Sequence, residues 1–518
     1  MAPPPERPTA LPLIATETLA PNSLPYEQQH QVYCGLDTMV TLEVFHALRE
    51  MRPRLPAIYS FERALQGPYL EIMQRGFAVD QLARASAARS LQERIDGLQI
   101  QMDEFAMAAW GRPLNPNSPA QLKDFFYAKM RLPEVWLSQK GERKLSCNRE
   151  ALEKLETYLY ARPFVSIILS IRELKKQLDV FNTEIDPDGR YRTSYNIAGT
   201  ETGRPSSSSN AFGTGGNAQN IAAGLRYVFI ADPGWKLCVI DLEQVEARDV
   251  GFFCGCLFDD WKFLNACESG DLHTANCRLI WPERHWTGDL KKDRTLADEL
   301  FYREFSYRDM SKRGGHLTNY FGTPWTMARH LKIPLRLAED FQDRYAKGPS
   351  PAYPAIPRYW AWVAQELQTS HRLVTPFGRE RHFFGRAGDD TTLREGIAFL
   401  PQSTTADRMN LGLWRVWKKM PEVQLLGQTY DSITFQFRED ADEAAIVQRA
   451  LELIRVELVA RNGRRYIVPG EAKVGWNWAS RHQDGKAFGK GNRFNPDGLV
   501  KWRAGKDKRR RGESATTA

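Results

Sequence analysis

Two short apolar segments of this chain each lead to an aspartate. Residues 236–241 have the composition of a buried strand that ends in Asp241, and residues 423–437 have that of two strands with Asp431 at the bend. A carboxylate beside an apolar strand is costly to bury unless it meets a partner or a metal ion. Two such carboxylates on one sheet suit a pair of Mg²⁺ ions about 3.5–4 Å apart, which drives in-line phosphoryl transfer. The pattern therefore predicts that Asp241 and Asp431 meet on one sheet.

The composition favours a cytoplasmic protein of several domains. The chain has 518 residues, of which 42% are hydrophobic, and its 71 basic and 63 acidic residues give a net charge of +8. A basic protein of this size weakly favours a polyanionic partner. The seven cysteines are odd in number and scattered, which predicts reduced thiols. Because no apolar run is long enough to span a membrane and no signal peptide is recognisable, we expect no membrane partner.

Hydrophobic periodicity and capping residues predict a helix-rich chain. The predicted helices cover residues 33–51, 80–110, 118–129, 149–178 (broken near Pro163) and 440–461, and a strand follows near 465–468. In the first helix, four apolar residues at four-residue spacing form one face: Leu36, Val40, Val44 and Leu48. The Ser- and Gly-rich residues 205–217 predict a flexible loop.

A second four-residue spacing, in the middle of the chain, combines cations with aromatic rings. Its members are Arg308, Lys312, His316 and Tyr320. On a helix they share one slowly winding face. One interpretation is a solvated basic stripe that ends in a core tyrosine. The other is a nucleoside triphosphate along the helix, with its phosphates at the cationic end and its sugar and base at the aromatic end. Gly314 and Gly315 predict a break or a pliant closing element here, because each costs about 1 kcal/mol relative to alanine.

In chain order, three motifs resemble those of the family-A DNA polymerases, the group that contains the bacterial repair polymerase and several phage replicases. Residues 241–248 (Asp-Leu-Glu-Gln-Val-Glu-Ala-Arg) are similar to motif A, Arg308-x3-Lys312-x7-Tyr320 to motif B, and Tyr430-Asp431-Ser432 to motif C. Other segments resemble that family's primer–template loop (202–204 and 219–221), its minor-groove helix (394–407), its Asp-Ile-His (271–273) and its C-terminal segment (475–478). The resemblance covers about residues 60–480, and the divergent motifs favour a phage type.

The resemblance implies an α+β fold with a right-hand polymerase architecture, in which an antiparallel β palm carries helical fingers and a helical thumb. It divides the chain into an exonuclease-like remnant (31–73), a thumb (74–185), a first palm segment (186–270), fingers (271–399) and a second palm segment (400–485). Composition adds a Pro-rich, disordered N-terminus (1–30) and a basic C-terminal tail (486–518).

The resemblance also implies roles for individual residues. Asp241 and Asp431, with the backbone carbonyl of Leu242, would hold two Mg²⁺ ions, for which Mn²⁺ is an expected substitute. Lys312 would donate a proton to the leaving pyrophosphate, and Glu246 would block the 2′ position of the sugar, hydrogen-bonded to Tyr320. The residues expected to bind the dNTP are Arg308, Lys312, His316, Tyr320, His273, Glu246 and Gln244. Those expected to bind primer–template DNA are Arg204, Thr202, Gln219, Asn220, Arg394, Gln402 and Tyr430.

Some residues depart from the family pattern. Ser432 replaces the glutamate that normally follows the motif C aspartate, so a third carboxylate near the metals is missing. Tyr430 replaces a histidine, but its hydroxyl retains one hydrogen-bond donor. His316 stands where the family has Phe or Tyr, which leaves the tolerance of dideoxynucleotides open.

Near its start, the chain resembles the last motif of the family's 3′–5′ exonuclease domain. Tyr33 and Asp37 have the spacing of that motif, but no aspartate precedes Asp37 to supply the Asp-x-Glu of the first motif. We therefore expect no proofreading in cis. A separate exonuclease or processivity polypeptide that docks at residues 1–60 is a further hypothesis.

The expected function is template-dependent DNA synthesis by two-metal-ion phosphoryl transfer from dNTPs, in the host cytoplasm if a phage encodes the protein. A single-subunit RNA polymerase is an alternative, but Glu246 would crowd a ribose 2′-hydroxyl. A catalytically weakened nucleic-acid-binding relic is a second alternative, which Ser432 favours. A metal-dependent nuclease would use the same aspartates and leave the Arg308–Tyr320 face unexplained.

Overall fold

The computed structural model describes residues 25–51, 56–139, 142–481 and 495–504. The chain divides into two compact units, residues 1–61 and residues 62–518. Most of the Pro-rich N-terminus and of the basic tail predicted from composition lies outside the described residues. No helix of the described residues is long and apolar enough to cross a membrane.

The helices confirm most of the predicted helical segments. In chain order they are α1 (Tyr26–Met51), α2 (Ala57–Ala64), α3 (Gln66–Arg75), α4 (Gln81–Trp110), α5 (Pro119–Lys123), α6 (Arg149–Leu155), α7 (Arg162–Asn182), α8 (Val245–Phe258), α9 (Lys262–Glu268), α10 (Leu272–Ile280), α11 (Leu290–Ala297), α12 (Tyr307–Asn319), α13 (Pro324–Leu331), α14 (Leu335–Gln342), α15 (Ala355–Thr369), α16 (Asp390–Lys419) and α17 (Glu443–Ile454). A π-helical segment, Asp124–Lys129, continues α5 to the predicted end.

Nine of the strands form one sheet, and the others pair as two-stranded ribbons. In chain order they are β1 (Phe77–Val79), β2 (Trp136–Gln139), β3 (Glu142–Leu145), β4 (Arg190–Tyr191), β5 (Ser194–Asn196), β6 (Ser206–Ser208), β7 (Phe229–Ile230), β8 (Trp235–Leu242), β9 (Leu300–Tyr302), β10 (Phe305–Ser306), β11 (Arg372–Val374), β12 (Glu380–His382), β13 (Gln424–Thr429), β14 (Ser432–Arg438), β15 (Glu457–Val459), β16 (Arg465–Ile467), β17 (Gly470–Gly475), β18 (Asn477–Ser480) and β19 (Gly498–Lys501).

The large sheet has the order β13-β14-β8-β17-β19-β18-β7-β1-β4. Its neighbouring strands run antiparallel except β18 and β19, which are parallel. Two strands, β1 and β19, come from outside the ranges predicted for the palm. Both are short, so their sequences carry little alternation, and the buried Phe77 and Leu499 join the core beneath the sheet.

The first unit contains α1 and the start of α2. No residue of α1 is buried, so the apolar face predicted for residues 33–51 is exposed in this structure.

In the second unit, capping explains where helices predicted within residues 80–178 begin. The Asp80 side chain accepts a hydrogen bond from the N–H of Ala83 at the start of α4, and Ser118 caps α5 in the same way. The predicted break near Pro163 is real, because this proline lies in the first turn of α7, where its missing N–H costs nothing.

The helix predicted for residues 440–461 is shorter than expected. It ends at Ile454, and residues 457–459 form β15, which pairs with β16. The pairing places Leu458 opposite the buried Tyr466. A β-branched Val-x-x-Val pattern at 456 and 459 favours this strand over a helix end.

The predicted break at Gly314 and Gly315 is wrong, whereas the alternative of a pliant closing element stays a prediction. α12 is a continuous helix there, and both glycines are buried. A Cβ added at Gly314 would lie 2.7 Å from the ring of Phe341, and one at Gly315 would lie 3.2 Å from the hydroxyl of Tyr345. The glycines let α14 and the turn that follows it approach α12 closely.

Replacing Gly314 by alanine is therefore expected to lower the free energy of unfolding by about 1–3 kcal/mol, because the Cβ overpacks the ring of Phe341. Gly97 in α4 is the matched control, since an added Cβ there meets nothing within 4 Å. Gly97→Ala should raise stability by up to about 1 kcal/mol. Urea unfolding of both variants measures the difference, and a Gly314→Ala protein as stable as wild type would contradict the packing argument.

A buried ion pair joins α8 to α16. Arg408 and Asp249 are fully buried, and Nη2 of Arg408 lies 2.9 Å from Oδ1 of Asp249. Hydroxyls of Thr405 and Tyr466 also donate hydrogen bonds to this carboxylate, at 2.9 and 2.8 Å. The carboxylate of Asp249 thus has three donors, which is what such a group needs away from water.

Candidate active site

The sheet brings Asp241 and Asp431 together. β8 and β14 pair so that Ser432 lies opposite Asp241, and the N–H of Leu242 donates a hydrogen bond to the carbonyl of Asp431 at 3.0 Å. On the other side of β8, Glu471 lies opposite Asp241. Asp431 follows Tyr430, whose positive φ of 53° turns the chain between β13 and β14.

The two carboxylates lack cationic partners of their own. Among the described residues, neither Asp241 nor Asp431 forms an ion pair of 4.0 Å or less. Burial, and next the charge of Asp431, raise the pKa of Asp241 to about 7. Burial also raises the pKa of Asp431, and the carboxylate of Glu246 adds to that increase. Two crowded, half-buried carboxylates of this kind fit a divalent cation, which would relieve their repulsion.

No third carboxylate completes a metal cluster among the residues that the structure describes. No group of three or more His, Cys, Asp and Glu side chains there is placed to hold a metal ion. Ser432 donates its hydroxyl hydrogen to the carbonyl of Thr429 at 3.0 Å. Glu471 forms ion pairs with Lys473 and Lys501. Oxygen ligands beyond the two aspartates would therefore be backbone carbonyls and water, which Mg²⁺ accepts readily.

Glu246 links three elements beside this pair. The hydroxyl of Tyr320, at the end of α12, donates to one carboxylate oxygen of Glu246 at 2.6 Å, which is the hydrogen bond suggested by the sequence. The other oxygen forms an ion pair with Arg204, from the loop between β5 and β6. Burial, and next the charge of Glu246, raise the pKa of Tyr320, so the tyrosine keeps its proton. Sequence reasoning missed the Arg204 contact.

The cationic face of α12 has one paired and one unpaired cation among the described residues. Arg308 is oriented by Asp271, with Nη2 3.2 Å from Oδ1, a partner that sequence reasoning also missed. Lys312 and His316 are exposed, and the ring of His316 lies 5.1 Å from that of Tyr320. In the described residues, Lys312 has no ion pair or hydrogen bond, so its ammonium group is available to a ligand.

His273 lies behind this face in a largely buried position. Burial, and next the charges of Arg308 and Lys312, lower its pKa to about 4. The Nδ1 atom is buried without a hydrogen-bond partner. His273 is therefore neutral at physiological pH, so it would bind a triphosphate as a hydrogen-bond donor and not as a cation.

Three of the residues expected to bind DNA lie together, and a fourth is buried beside them. Asn220 accepts a hydrogen bond from the hydroxyl of Tyr430 at 2.9 Å, and the guanidinium of Arg204 lies 5.9 Å from the ring of Tyr430. These three side chains form one partly exposed cluster. Gln219 is buried, and its amide donates to Gln428, so we expect it to position this loop without touching DNA.

The remaining predicted site residues lie at the surface. Thr202 is 3.1 Å from Thr200 within the same loop. On α16, Arg394 is exposed near Asp390, and Gln402 is half-buried eight residues further on. Gln244 is exposed just before α8, where it has a positive φ of 52°.

Comparison with known proteins identifies the family of this chain. The sequence profile of DNA polymerase family A matches residues 83–480. The chain belongs to this family. The family assignment made from the motifs is therefore confirmed, whereas the phage type stays a prediction.

Relatives of this family-A chain include bacterial enzymes. The thermostable DNA polymerase I of Thermus thermophilus is 29% identical over 398 residues, which is 70% of this chain and 42% of that protein. DNA polymerase I of Chloroflexus aurantiacus is 27% identical over 488 residues, 87% of this chain and 46% of that protein. The family-A chain thus spans less than half the length of these relatives.

A solved structure confirms the fold class. The POL domain of Pol1 from M. smegmatis, in complex with DNA primer-template and dNTP, matches with a TM-score of 0.62 and 20% identity. The match covers 80% of this chain and 69% of that chain. The α+β polymerase fold expected from the sequence is therefore present.

Proposed function

We propose that this protein is a template-dependent DNA polymerase that extends a primer 3′-hydroxyl with dNTPs. The main support is the pair Asp241–Asp431, two half-buried carboxylates that form no ion pair with any described residue. Glu246 lies beside them, and the ammonium group of Lys312 has no partner among the same residues. Phosphoryl transfer is catalysed mainly by positioning and charge neutralisation, and this arrangement supplies both.

In this proposal, Asp241, Asp431 and the carbonyl of Leu242 hold two Mg²⁺ ions, or Mn²⁺ in their place. When bound, such ions lower the pKa of the attacking hydroxyl and neutralise the leaving pyrophosphate. Lys312 binds the triphosphate and is placed to give a proton to pyrophosphate. Arg308 binds it in the orientation that Asp271 sets.

The sugar would be selected by Glu246. Its carboxylate is held by Tyr320 in a fixed position, and a 2′-hydroxyl would collide with it or displace that hydrogen bond. Gln244 and His316 would complete the nucleotide pocket, and both are exposed. Arg204, Asn220 and Tyr430, with Thr202, Arg394 and Gln402, would contact primer–template DNA, where minor-groove contacts sense pairing shape and not sequence.

The domain ranges follow from the same proposal. Residues 74–185 would be the thumb, 186–270 and 400–485 the palm, and 271–399 the fingers. We add β1 and β19 to the palm, because both are strands of the large sheet.

Primer extension with deoxynucleotides and ribonucleotides tests the proposed function. We expect extension by dNTPs on a primed template in Mg²⁺, and little extension by rNTPs. A preference for rNTPs would assign the protein to the RNA polymerases instead. Release of nucleotides from labelled DNA, without extension, would favour a nuclease.

A DNA-binding relic is the second candidate, and one observation favours it. Among the described residues, no third carboxylate completes a metal-holding group with Asp241 and Asp431, and Ser432 occupies the position of the family's glutamate. A relic would bind primer–template DNA and show no extension with Mg²⁺ or Mn²⁺.

The affinity for Mg²⁺ is expected to depend on pH. A metal ligand must be deprotonated, and the pKa of Asp241 is about 7, so a proton competes with the metal below that pH. We expect the DNA-free protein to bind Mg²⁺ about tenfold more weakly at pH 6 than at pH 8. Calorimetric titration at both pH values measures this change.

Asp440→Ala, which removes an exposed carboxylate, is the control and should keep the same pH dependence. An affinity that stays constant from pH 6 to pH 8 would show that Asp241 is not a ligand, or that its pKa is not raised.

We further propose that an exonuclease or processivity polypeptide docks at α1. The support is the exposed apolar side chains of this helix, among them Val40, Phe45 and Leu48. Pull-down with the full chain as bait, compared with a Phe45→Glu variant, tests this; failure to recover a nuclease or clamp-like partner would remove the idea. A cytoplasmic site of action is also proposed, since all seven cysteines are free thiols.

A further inference from the structure

One aromatic side chain in the second unit lies almost entirely in solvent. Phe384 is 98% exposed, more than any other large apolar residue that the structure describes. It lies in the loop between β12 and α16. Single exposed apolar residues are common and need no function. The surroundings of Phe384 are what distinguish it.

The loop presents Phe384 from a fixed base. Its neighbour Phe383 is buried, with its ring 6.1 Å from that of Phe399 and 4.5 Å from the guanidinium of Arg381. A Cβ added at Gly385 would lie 2.3 Å from Oγ1 of Thr392, so the loop also packs closely on the first turn of α16. The backbone on both sides of Phe384 is therefore held.

An exposed arginine lies close to Phe384 in the sequence. Arg386 is exposed two residues after Phe384, and its side chain has no ion pair or hydrogen bond to any described residue. The neighbouring acids are mostly neutralised, because Glu395 pairs with Arg381, Asp390 with Arg394, and Glu380 with Arg372. The charged side chains of this loop that remain without an ion pair to a described residue are therefore Arg386 and, at the start of α16, Asp389.

The hairpin of β11 and β12, which leads into this loop, contacts one segment that the proposed function assigns to DNA, and the loop itself leads into the other. Arg379 packs on Gly203, where an added Cβ would lie 2.4 Å from its guanidinium carbon. Arg381 pairs with Glu201 at 3.5 Å. These contacts hold β12, where the loop begins, against the turn that carries Thr202 and Arg204, while the loop ends at α16, which carries Arg394.

We propose that Phe384 and Arg386 form a subsite for single-stranded DNA, namely the unpaired template strand beyond the primer–template duplex. The ring stacks on an unpaired base, and the guanidinium binds a neighbouring phosphate. This inference rests on the proposed polymerase function. Bases within a duplex are covered on both faces, whereas an unpaired base offers a free face on which an exposed ring can stack.

The test compares two DNAs with the same duplex, one blunt and one with a 5′ template overhang of ten thymidines. Fluorescence anisotropy at fixed salt gives both dissociation constants. Phe384→Ala is expected to weaken overhang binding at least about fivefold, and Phe384→Trp to restore it, because stacking needs only an aromatic face. The affinity for blunt duplex should not change.

Arg386→Met should reduce the slope of the logarithm of overhang affinity against the logarithm of salt concentration by about one, because one phosphate contact is lost.

An abasic overhang separates the two residues. It keeps the phosphates and removes the bases, so it should be insensitive to Phe384→Ala and still sensitive to Arg386→Met. Phe212→Ala is the matched control, since Phe212 is 90% exposed on a different loop and its removal should not affect overhang binding.

Three results would overturn the subsite. They are an overhang affinity unchanged in Phe384→Ala, an equal loss for blunt and overhang DNA, and an equal loss in Phe212→Ala, which would indicate unspecific apolar adsorption. Failure of the polymerase proposal is distinguishable, because a protein without primer extension can still show the Phe384-dependent preference for overhang DNA.

Discussion

Replacing Asp431 by alanine is expected to reduce primer extension at least about 10³-fold. Metal ions stabilise the charge of a phosphoryl-transfer transition state by several kcal/mol, and about 4 kcal/mol corresponds to this factor. Asp431 is one of the two side chains that the proposed metal site depends on, and Ser432 supplies no substitute because its hydroxyl donates to Thr429. Single-turnover extension of one labelled primer measures the loss.

The fold should survive this substitution. Asp431 has no ion-pair partner among the described residues, and its charge raises the pKa of Asp241. Removing it relieves repulsion, so we expect an unchanged or slightly higher melting temperature and retained DNA binding. Asp440→Ala, which removes an exposed aspartate beyond the other end of β14, is the control and should extend primers normally.

Extension by Asp431→Ala at more than a tenth of the wild-type rate would contradict the proposed metal site. If the wild-type protein does not extend primers and binds DNA as tightly as Asp431→Ala does, the protein is the DNA-binding relic and not a polymerase.

Replacing Arg408 by methionine is expected to lower the free energy of unfolding by about 3–5 kcal/mol, because it leaves the carboxylate of Asp249 buried without its cation. Thr405 and Tyr466 would still donate hydrogen bonds to it, at 2.9 and 2.8 Å in the wild type, but they carry no charge. Urea unfolding of the full chain measures the loss. Arg394→Met on the exposed face of the same helix is the control, and should change stability by less than about 0.5 kcal/mol.

The pH dependence of this variant has a definite sign. Burial already raises the pKa of Asp249 in the wild type, and loss of Arg408 raises it further. A carboxyl group with a higher pKa in the folded state than in the unfolded state binds more protons when folded, so stability falls as the pH rises between the two values. We therefore expect a larger loss at pH 8 than at pH 5. Adding Asp249→Leu to Arg408→Met should recover most of the stability, and a double variant no better than the single one would refute this account.

Local patterns predicted much of the fold. Strand composition placed Asp241 and Asp431 correctly at neighbouring strand ends, and Ser118 and Pro163 marked helix starts through capping and backbone chemistry. Contacts between segments that are distant in the sequence could not be predicted from local patterns. A glycine is needed at position 314 because the ring of Phe341, on another helix, packs against it. The strands β1 and β19 are too short for their sequences to show the alternation of a strand.

The same limit applies to the candidate site. The four-residue spacing of Arg308 to Tyr320 predicted their shared helix, but it could not reveal that Asp271 orients Arg308 or that Arg204 reaches Glu246. Those contacts depend on how a loop and two helices meet. The neutral state of His273 likewise follows from burial, which the sequence does not show.

The contact of Arg204 with Glu246 has a consequence for the order of binding events. In the proposed function, a primer end that draws Arg204 away from Glu246 would leave this carboxylate facing the incoming sugar with only Tyr320 to restrain it. Binding of the primer end would thus release Glu246, the residue proposed to select the sugar of the next nucleotide. Sugar selection would then depend, through Arg204, on whether a primer end is bound.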